Sequence, residues 1–162
     1  MLNQFKNISC YEEFEIHCDL AGISKIDVLK EIGHKIYRYY VFVSNDGIFN
    51  WFDLNGNHIE NPIDLMNTGL FAYLPEYYIP KTISKCIIPD NIKQIANGAF
   101  FRCRSLTTVY IPNTVTYIGY YTFSECDALK EVIFKRRTLE QVKQMENYPW
   151  NIEDESIIKC EI

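Results

Sequence analysis

A chain of 162 residues that is 48% hydrophobic and 23% charged can pack a core as one compact unit or two small ones, which excludes a disordered or low-complexity chain. The formal charge of −5 divides unevenly: five Lys and Arg against ten Asp and Glu over residues 1–70, nine against five over 71–137, and two against six over 138–162. So small a basic excess between acidic flanks excludes a nucleic-acid footprint and points to protein partners with acidic or mixed surfaces. No basic, then apolar leader opens "MLNQFKNISCYEEFEIHCDL" and no apolar run reaches membrane-spanning length, so a cytoplasmic chain without membrane contact is expected.

In "YEEFE" the acidic Glu13 and Glu15 alternate with Phe14 and Ile16, which predicts a strand with a solvated carboxylate face and sets His17 and Cys18 on opposite sides of it. "SKIDVLKEIGH" predicts a helix from Ser24 to Gly33, with Ile26, Leu29 and Ile32 or Val28 on one side. "HKIYRYYVFVS" and "GIFNWFDLNGNHIE" are rich in β-formers; Asn45-Asp46-Gly47 between them and Asn55-Gly56 within the second are tight-turn signals, so an antiparallel meander follows. Residues 1–68 therefore form a β-rich α+β head. It either covers the end of the next unit or stands as a small domain hinged near Asn67 to Gly69.

From residue 69 the chain repeats itself. A shift of 23 residues aligns Ile88 with Ile111, Pro89 with Pro112, Ile92 with Val115, Ile95 with Ile118, Phe100 with Phe123, Cys103 with Cys126, Leu106 with Leu129 and Val109 with Val132. A period of this length is the signature of a solenoid, in which each coil buries its apolar side against the next. In "LTTVYIP", Leu106, Val109 and Ile111 face inward while Thr108 and Tyr110 face out; Val115 and Ile118 line a second short extended piece, Gly119 permits a turn, and Phe123 and Cys126 fill the far side. Before these two full coils, "YYIPKTISKCIIP" is an incomplete one. The stretches "IPDNIKQIANGAFFRCRSL" and "IPNTVTYIGYYTFSECDAL" resemble the BspA-type leucine-rich repeat. That resemblance implies a right-handed leucine-rich solenoid over residues 69–137 whose role is binding, often adhesion, in bacterial surface proteins, phage and mobile-element genomes, and some protists.

Two coils need their open ends covered. Residues 138–162 predict a C-terminal helical cap: Thr138 and Gln141 form a capping box, a helix over about 138–147 turns Leu139, Val142 and Met145 inward, Pro149 stops it, and Trp150 plugs the core. "SIIKCEI" closes the chain as a strand, with Ile157 or Ile158 and Cys160 inward.

Signals for chemistry are absent from the pattern. His17, His34 and His58 are scattered; the six cysteines contain no C-x-x-C and are expected as free thiols, Cys103 and Cys126 as core residues; no phosphate-binding, dinucleotide or nucleophile-elbow motif occurs. No catalysis, metal or cofactor is expected. Surface positions instead differ between coils: Gln94 becomes Tyr117, Asn97 becomes Tyr120, Gly98 becomes Tyr121, Arg102 becomes Glu125, Arg104 becomes Asp127 and Tyr110 becomes Ile133. Tyr and Arg supply most binding energy at interface centres, which nominates Arg102, Arg104, Tyr110, Tyr117, Tyr120 and Tyr121 as contacts for a protein partner, with the β-rich head as the alternative contact. Three functions compete: a phage or mobile-element protein that inhibits a host complex, an adhesin or structural surface fragment, and an enzyme with an unrecognised site in the head.

Overall fold

The computed structural model describes residues 3–5, 7–60 and 62–162. Its first long element is a helix, α1 (Tyr11–Ala21), where the alternation of "YEEFE" predicted a strand. Four residues of alternation could not outweigh the longer period: Phe14 and Cys18, four apart, are the buried residues of α1, so a 3.6-residue stripe faces the core. Glu13 also bends back to accept the Ser9 N–H at 2.7 Å, and Gly22, in left-handed backbone at φ +65, ends the helix. His17 and Cys18 therefore do not alternate across a strand; His17 meets Glu13 one turn back at 3.2 Å and Cys18 is buried.

The second helix, α2 (Lys25–Ile32), starts where expected, with the Ser24 hydroxyl accepting the Asp27 N–H, and buries Val28 and Leu29. An antiparallel meander follows in the order β1 (His34–Ile36), β2 (Tyr39–Val43), β3 (Phe49–Asp53) and β4 (His58–Ile59), the first turn made by Tyr37 at φ +55. Its central strands serve two cores at once. Phe42 and Phe52 turn to one side and pack with Phe14, Val28 and Leu29, whereas Tyr39, Val41, Val43, Phe49 and Trp51 turn to the other and join the core of the rest of the chain. The head thus covers the end of the repeats directly, through the period-2 division of β2 and β3.

Beyond the helical turn α3 (Ile63–Asn67), the chain runs through two parallel sheets. One contains β5 (Tyr73–Leu74), β7 (Gln94–Ile95) and β9 (Tyr117–Ile118); the other contains β6 (Lys85–Ile87), β8 (Thr108–Ile111), β10 (Glu131–Lys135) and β11 (Ile158–Glu161). Registers such as Gln94 with Tyr117 and Val109 with Val132 are the 23-residue shift in space. At each Ile-Pro the chain turns: Ile92 and Val115 donate their N–H groups to the Pro89 and Pro112 carbonyls, at 3.1 and 3.2 Å. The Phe100 and Phe123 rings stack with centroids 5.6 Å apart and planes 7° from parallel. Gly119 is required for room rather than for an unusual φ, because a Cβ there would come within 2.6 Å of the Asn97 Cα.

The incomplete repeat departs from the pattern for a visible reason. Ile79-Pro80 makes its turn ahead of β6, with Ile83 N–H on the Pro80 carbonyl at 3.1 Å, while the later Ile-Pro pairs turn after their strands. The start of this sheet is sealed by the head. Ile87 donates to the Gly47 carbonyl at 2.9 Å and Ser84 to the Asn45 carbonyl at 2.9 Å, and Gly47, at φ +86, lies so close that a Cβ would sit 2.7 Å from the Lys85 carbonyl oxygen.

The C-terminal segment does not close the fold as a helical cap. Its helix, α4 (Leu139–Lys143), carries the expected capping box of Thr138 and Gln141 but stops after five residues; Val142 is buried, Met145 half-buried and Leu139 exposed. Asn147, in left-handed backbone at φ +68, and Pro149 prevent further helix. Residues 144–161 instead repeat the circuit: Phe123 donates to the Trp150 carbonyl at 3.2 Å, and β11 adds to β10 in parallel. Trp150 is 1% exposed and lies 5.6 Å from the Phe134 ring, the plug expected of it. The chain ends in a strand, and the overall class is α+β.

Candidate functional site

Between the two sheets, the third side of the circuit is made by residues 97–103 and 120–126. Three backbone bonds join them as rungs: Gly98 N–H to Tyr120 at 2.8 Å, Phe100 to Thr122 at 3.2 Å and Arg102 to Ser124 at 3.0 Å. Each level bends at two left-handed positions, Gly98 and Arg102 (φ +67 and +59) on one, Tyr121 and Glu125 (φ +59 and +56) on the next. The equivalent places are 23 residues apart, so the same bends are met by different residues. At one of them a glycine is replaced by tyrosine.

Turning the backbone this way sends Phe100 and Phe123 inward and leaves Tyr120 and Tyr121 at 55% and 61% exposure. With Glu76, Gly98 and Phe101 they line an open recess of about 440 Å³. Lys81 bonds to the Phe101 carbonyl, lies 3.8 Å from Glu76 and stands 5.9 Å above the Phe101 ring; the Arg102 guanidinium approaches the same ring at 4.9 Å. Glu125 accepts from Arg102 at 2.9 Å and from Arg104 at 3.2 Å, and the hydrogen bond from Arg102 in particular holds its carboxyl below the usual carboxylate range. The two arginines are thus largely engaged within the chain.

Of the six expected contact residues, the structure brings four to this side: Arg102, Arg104, Tyr120 and Tyr121. Tyr110 lies on β8 in the four-stranded sheet, with Lys85 and Lys135 at 5.4 and 5.3 Å from its ring, and Tyr117 lies half-buried on β9 in the three-stranded sheet. Sequence reading missed Phe101, Lys81 and Glu76. The signal for Phe101 was present, since its counterpart 23 residues on is Ser124 and the position is not needed by the core.

Other reactive groups are quiet. All six cysteines are free. Cys86 and Cys103 are buried, while Cys126, half-buried rather than fully inward, donates its S–H to the Phe100 carbonyl at 3.0 Å. Burial pushes the Cys103 thiol up to about 11 and Cys126 to about 12, so both are protonated at neutral pH and poor nucleophiles. His34 is held between the head and the repeats against Tyr77 and Tyr78, with ring centroids 5.5 and 4.7 Å away, and burial lowers its pKa. Among the described residues, no group of three or more His, Cys, Asp and Glu could hold a metal ion, and no helix is long and apolar enough to cross a membrane.

The family model for the BspA type leucine rich repeat region matches residues 46–154 in six copies. The chain belongs to that family. Its first matched residue, Asp46, lies in the hairpin turn that bonds to β6. Comparison with curated proteins and with solved structures finds no match. Leucine-rich repeats of this kind serve as protein-binding or surface modules and are generally non-enzymatic.

Proposed function

We propose that this chain is a non-enzymatic protein-binding module, a short right-handed solenoid over residues 69–137 between a head (1–68) and a terminal segment (138–162), and that it grips its partner through the side bearing Tyr120 and Tyr121. One observation carries the reading. Tyr121 occupies left-handed backbone, which costs a non-glycine residue about 1–2 kcal/mol, at a position where the preceding level has Gly98, and yet its ring is 61% exposed. Local strain without a packing return is characteristic of residues kept for contact. The neighbouring Tyr120 and Phe101 make an aromatic surface of the composition found at interface centres.

The setting we propose is the cytoplasm of a bacterial host, with the chain a phage or mobile-element protein that inhibits a host complex by covering its surface. The family resemblance and the absence of reactive groups at the exposed side support an occluding mode of action rather than a catalytic one.

A photo-crosslinking amino acid at position 120, with a second version at the exposed Leu54 on the far turn of the head, tests the surface in the native host. A single discrete adduct is expected from position 120, absent when Tyr121→Gly is added and absent from position 54. Equal adduct from both positions, or none from position 120, would overturn the assignment of this side.

A further inference from the structure

The last level of the repeats leaves one strand edge open. At the other end of the same sheet, β6 is sealed by the hairpin turn of the head through Asn45 and Gly47. In the three-stranded sheet the Ile118 carbonyl of β9 is met by the Asn147 side chain at 3.1 Å, and the third side is continued by the Trp150 carbonyl. Among the described residues β11 pairs with β10 alone. Which of its backbone groups are left over follows from one bond. Arg136 donates its N–H to the Glu161 carbonyl, and Glu161 stands opposite Lys135, so Glu161 and, two residues earlier, Lys159 turn their backbone groups toward β10. Ile158 and Cys160 turn theirs to the open edge, a row of donors and acceptors that a further strand would satisfy.

The side chains of β11 divide between two faces. Lys159 and Glu161 are exposed on the outer one; Ile158 is buried and Cys160 half-buried on the inner one, where Tyr148 and Ile157 also pack on the core while only partly covered. An apolar end of this kind is what a solenoid covers. The outer pair has opposite signs two residues apart, and that order fits its own reverse. When β11 is laid antiparallel to a second β11 with Cys160 opposite Cys160, Lys159 of each copy stands opposite Glu161 of the other and Ile158 opposite Ile162. Moving the axis by one residue either way sets Lys159 against Lys159 or Glu161 against Glu161, which is repulsive. The charges therefore select a single register.

We propose that the chain forms a two-fold dimer through β11, the second copy adding its own β11 antiparallel at the open edge. Cys160 and its counterpart, whose backbone groups face the edge, exchange two N–H to carbonyl bonds, and Ile158 and Ile162 exchange theirs on either side. Lys159 and Glu161 then occupy the non-hydrogen-bonded positions, where Cα atoms lie about 4.5 Å apart and side chains are closest. The two four-stranded sheets become one, and Cys160, Ile158 and Tyr148 of each copy close over the end of the other. Because the head seals β6, head-to-tail stacking is blocked and assembly stops at two copies.

The test is sedimentation velocity on the full chain over a range of concentrations, with Lys159→Glu, Glu161→Lys and a one-to-one mixture of the two variants. The parent is expected to dimerise. Each single variant sets like charges opposite each other twice and should weaken association about tenfold. In the mixture, the wholly acidic pair of one variant meets the wholly basic pair of the other, so association should return to the parental level. Both side chains are exposed, and circular dichroism reports that each variant is folded. A monomeric parent, single variants that associate as tightly as the parent, a mixture no tighter than its components, or assembly beyond two copies would each overturn the proposal. Tyr121→Gly leaves β11 untouched and is expected to associate as the parent does, so the dimer and the partner surface fail separately.

Discussion

The head and the repeats build their cores by opposite means. In residues 85–135 each level copies the one before at a shift of 23, so that position alone assigns a role: Phe100 lies over Phe123, Val109 beside Val132, and a threonine at 107 or 116 bonds to the backbone 23 residues earlier. Residues 11–59 instead pair consecutive strands antiparallel. There the work is done by a single antiparallel sheet whose two faces are apolar, one for α1 and α2 and one for the repeats. A repeated unit can be lengthened by adding levels, whereas the head can only begin it.

If that comparison is right, the strongest way to break it is at Trp51, which is 3% exposed, faces the repeats and meets the Phe71 ring edge-on at 5.0 Å, while its neighbour Phe52 faces the helices. Trp51→Ala removes the largest side chain of the junction and should cost about 3–5 kcal/mol. The loss is expected to fall on the coupling between the two regions, so that calorimetry, which should give one transition for the parent, resolves two for the variant. A single transition merely shifted downward would mean that the head and repeats share more than this contact.

A smaller effect sharpens the comparison by pH. His34 sits at the junction and His58 lies on Tyr11 within the head at a ring separation of 3.8 Å; burial is the largest cause lowering the pKa of each. The histidines lie at positions 17, 34 and 58, so residues 69–162 contain none. An unfolded histidine takes up a proton near pH 6.5, and these two resist it in the folded chain, so their stabilising contribution is complete above about 6.5 and is lost as the pH falls toward the lowered folded values. The carboxylates with lowered pKa values, among them Glu13, Asp53 and Glu125, lose their contribution only further down, below their own unperturbed range. Hydrogen exchange at pH 7 and pH 5.5 should therefore show the head and junction opening more readily at the lower pH while residues 94–135 hold, and His34→Phe should remove part of the difference. Equal loss of protection in both regions would contradict the assignment.

The same contrast explains what was readable in advance. The period placed Ile95, Phe100, Val109, Ile118 and Phe123 inward without any knowledge of three dimensions, because the constraint on each residue is stated twice in the chain. The turns at Asn45-Asp46-Gly47 and Asn55-Gly56 were legible from residue chemistry, and so was the Ser24 cap. Two things were not. The local alternation around Phe14 could not reveal α1, since whether Glu13 and Glu15 line a strand or a helix depends on the partner that buries Phe14 and Cys18 together. Nor could spacing separate Tyr110 and Tyr117 from Tyr120 and Tyr121, because adjacent stretches of one coil lie on different sides of it. Gly119 was expected to permit a turn, whereas it is needed for room, its neighbour Asn97 being brought close only by stacking.

The smallest expected effect concerns Tyr121 and asks whether the repeats tolerate function at their own expense. Tyr121→Gly relieves left-handed strain of about 1–2 kcal/mol. It also gives the unfolded chain more freedom, which offsets about 0.4–1 kcal/mol of that. The net expectation is a gain of roughly 0.5–1 kcal/mol, a rise of only about 1–4 °C in Tm for a chain of this size. Gly98, at the equivalent bend one level earlier, shows that the backbone accepts glycine there, and the Tyr121 ring is too exposed for its loss to open a cavity. A variant that is more stable yet no longer crosslinks through position 120 would show that the strain is kept for contact. A variant that melts lower than the parent would show instead that the exposed ring shields the rungs of the third side, and the tyrosine would then belong to the fold.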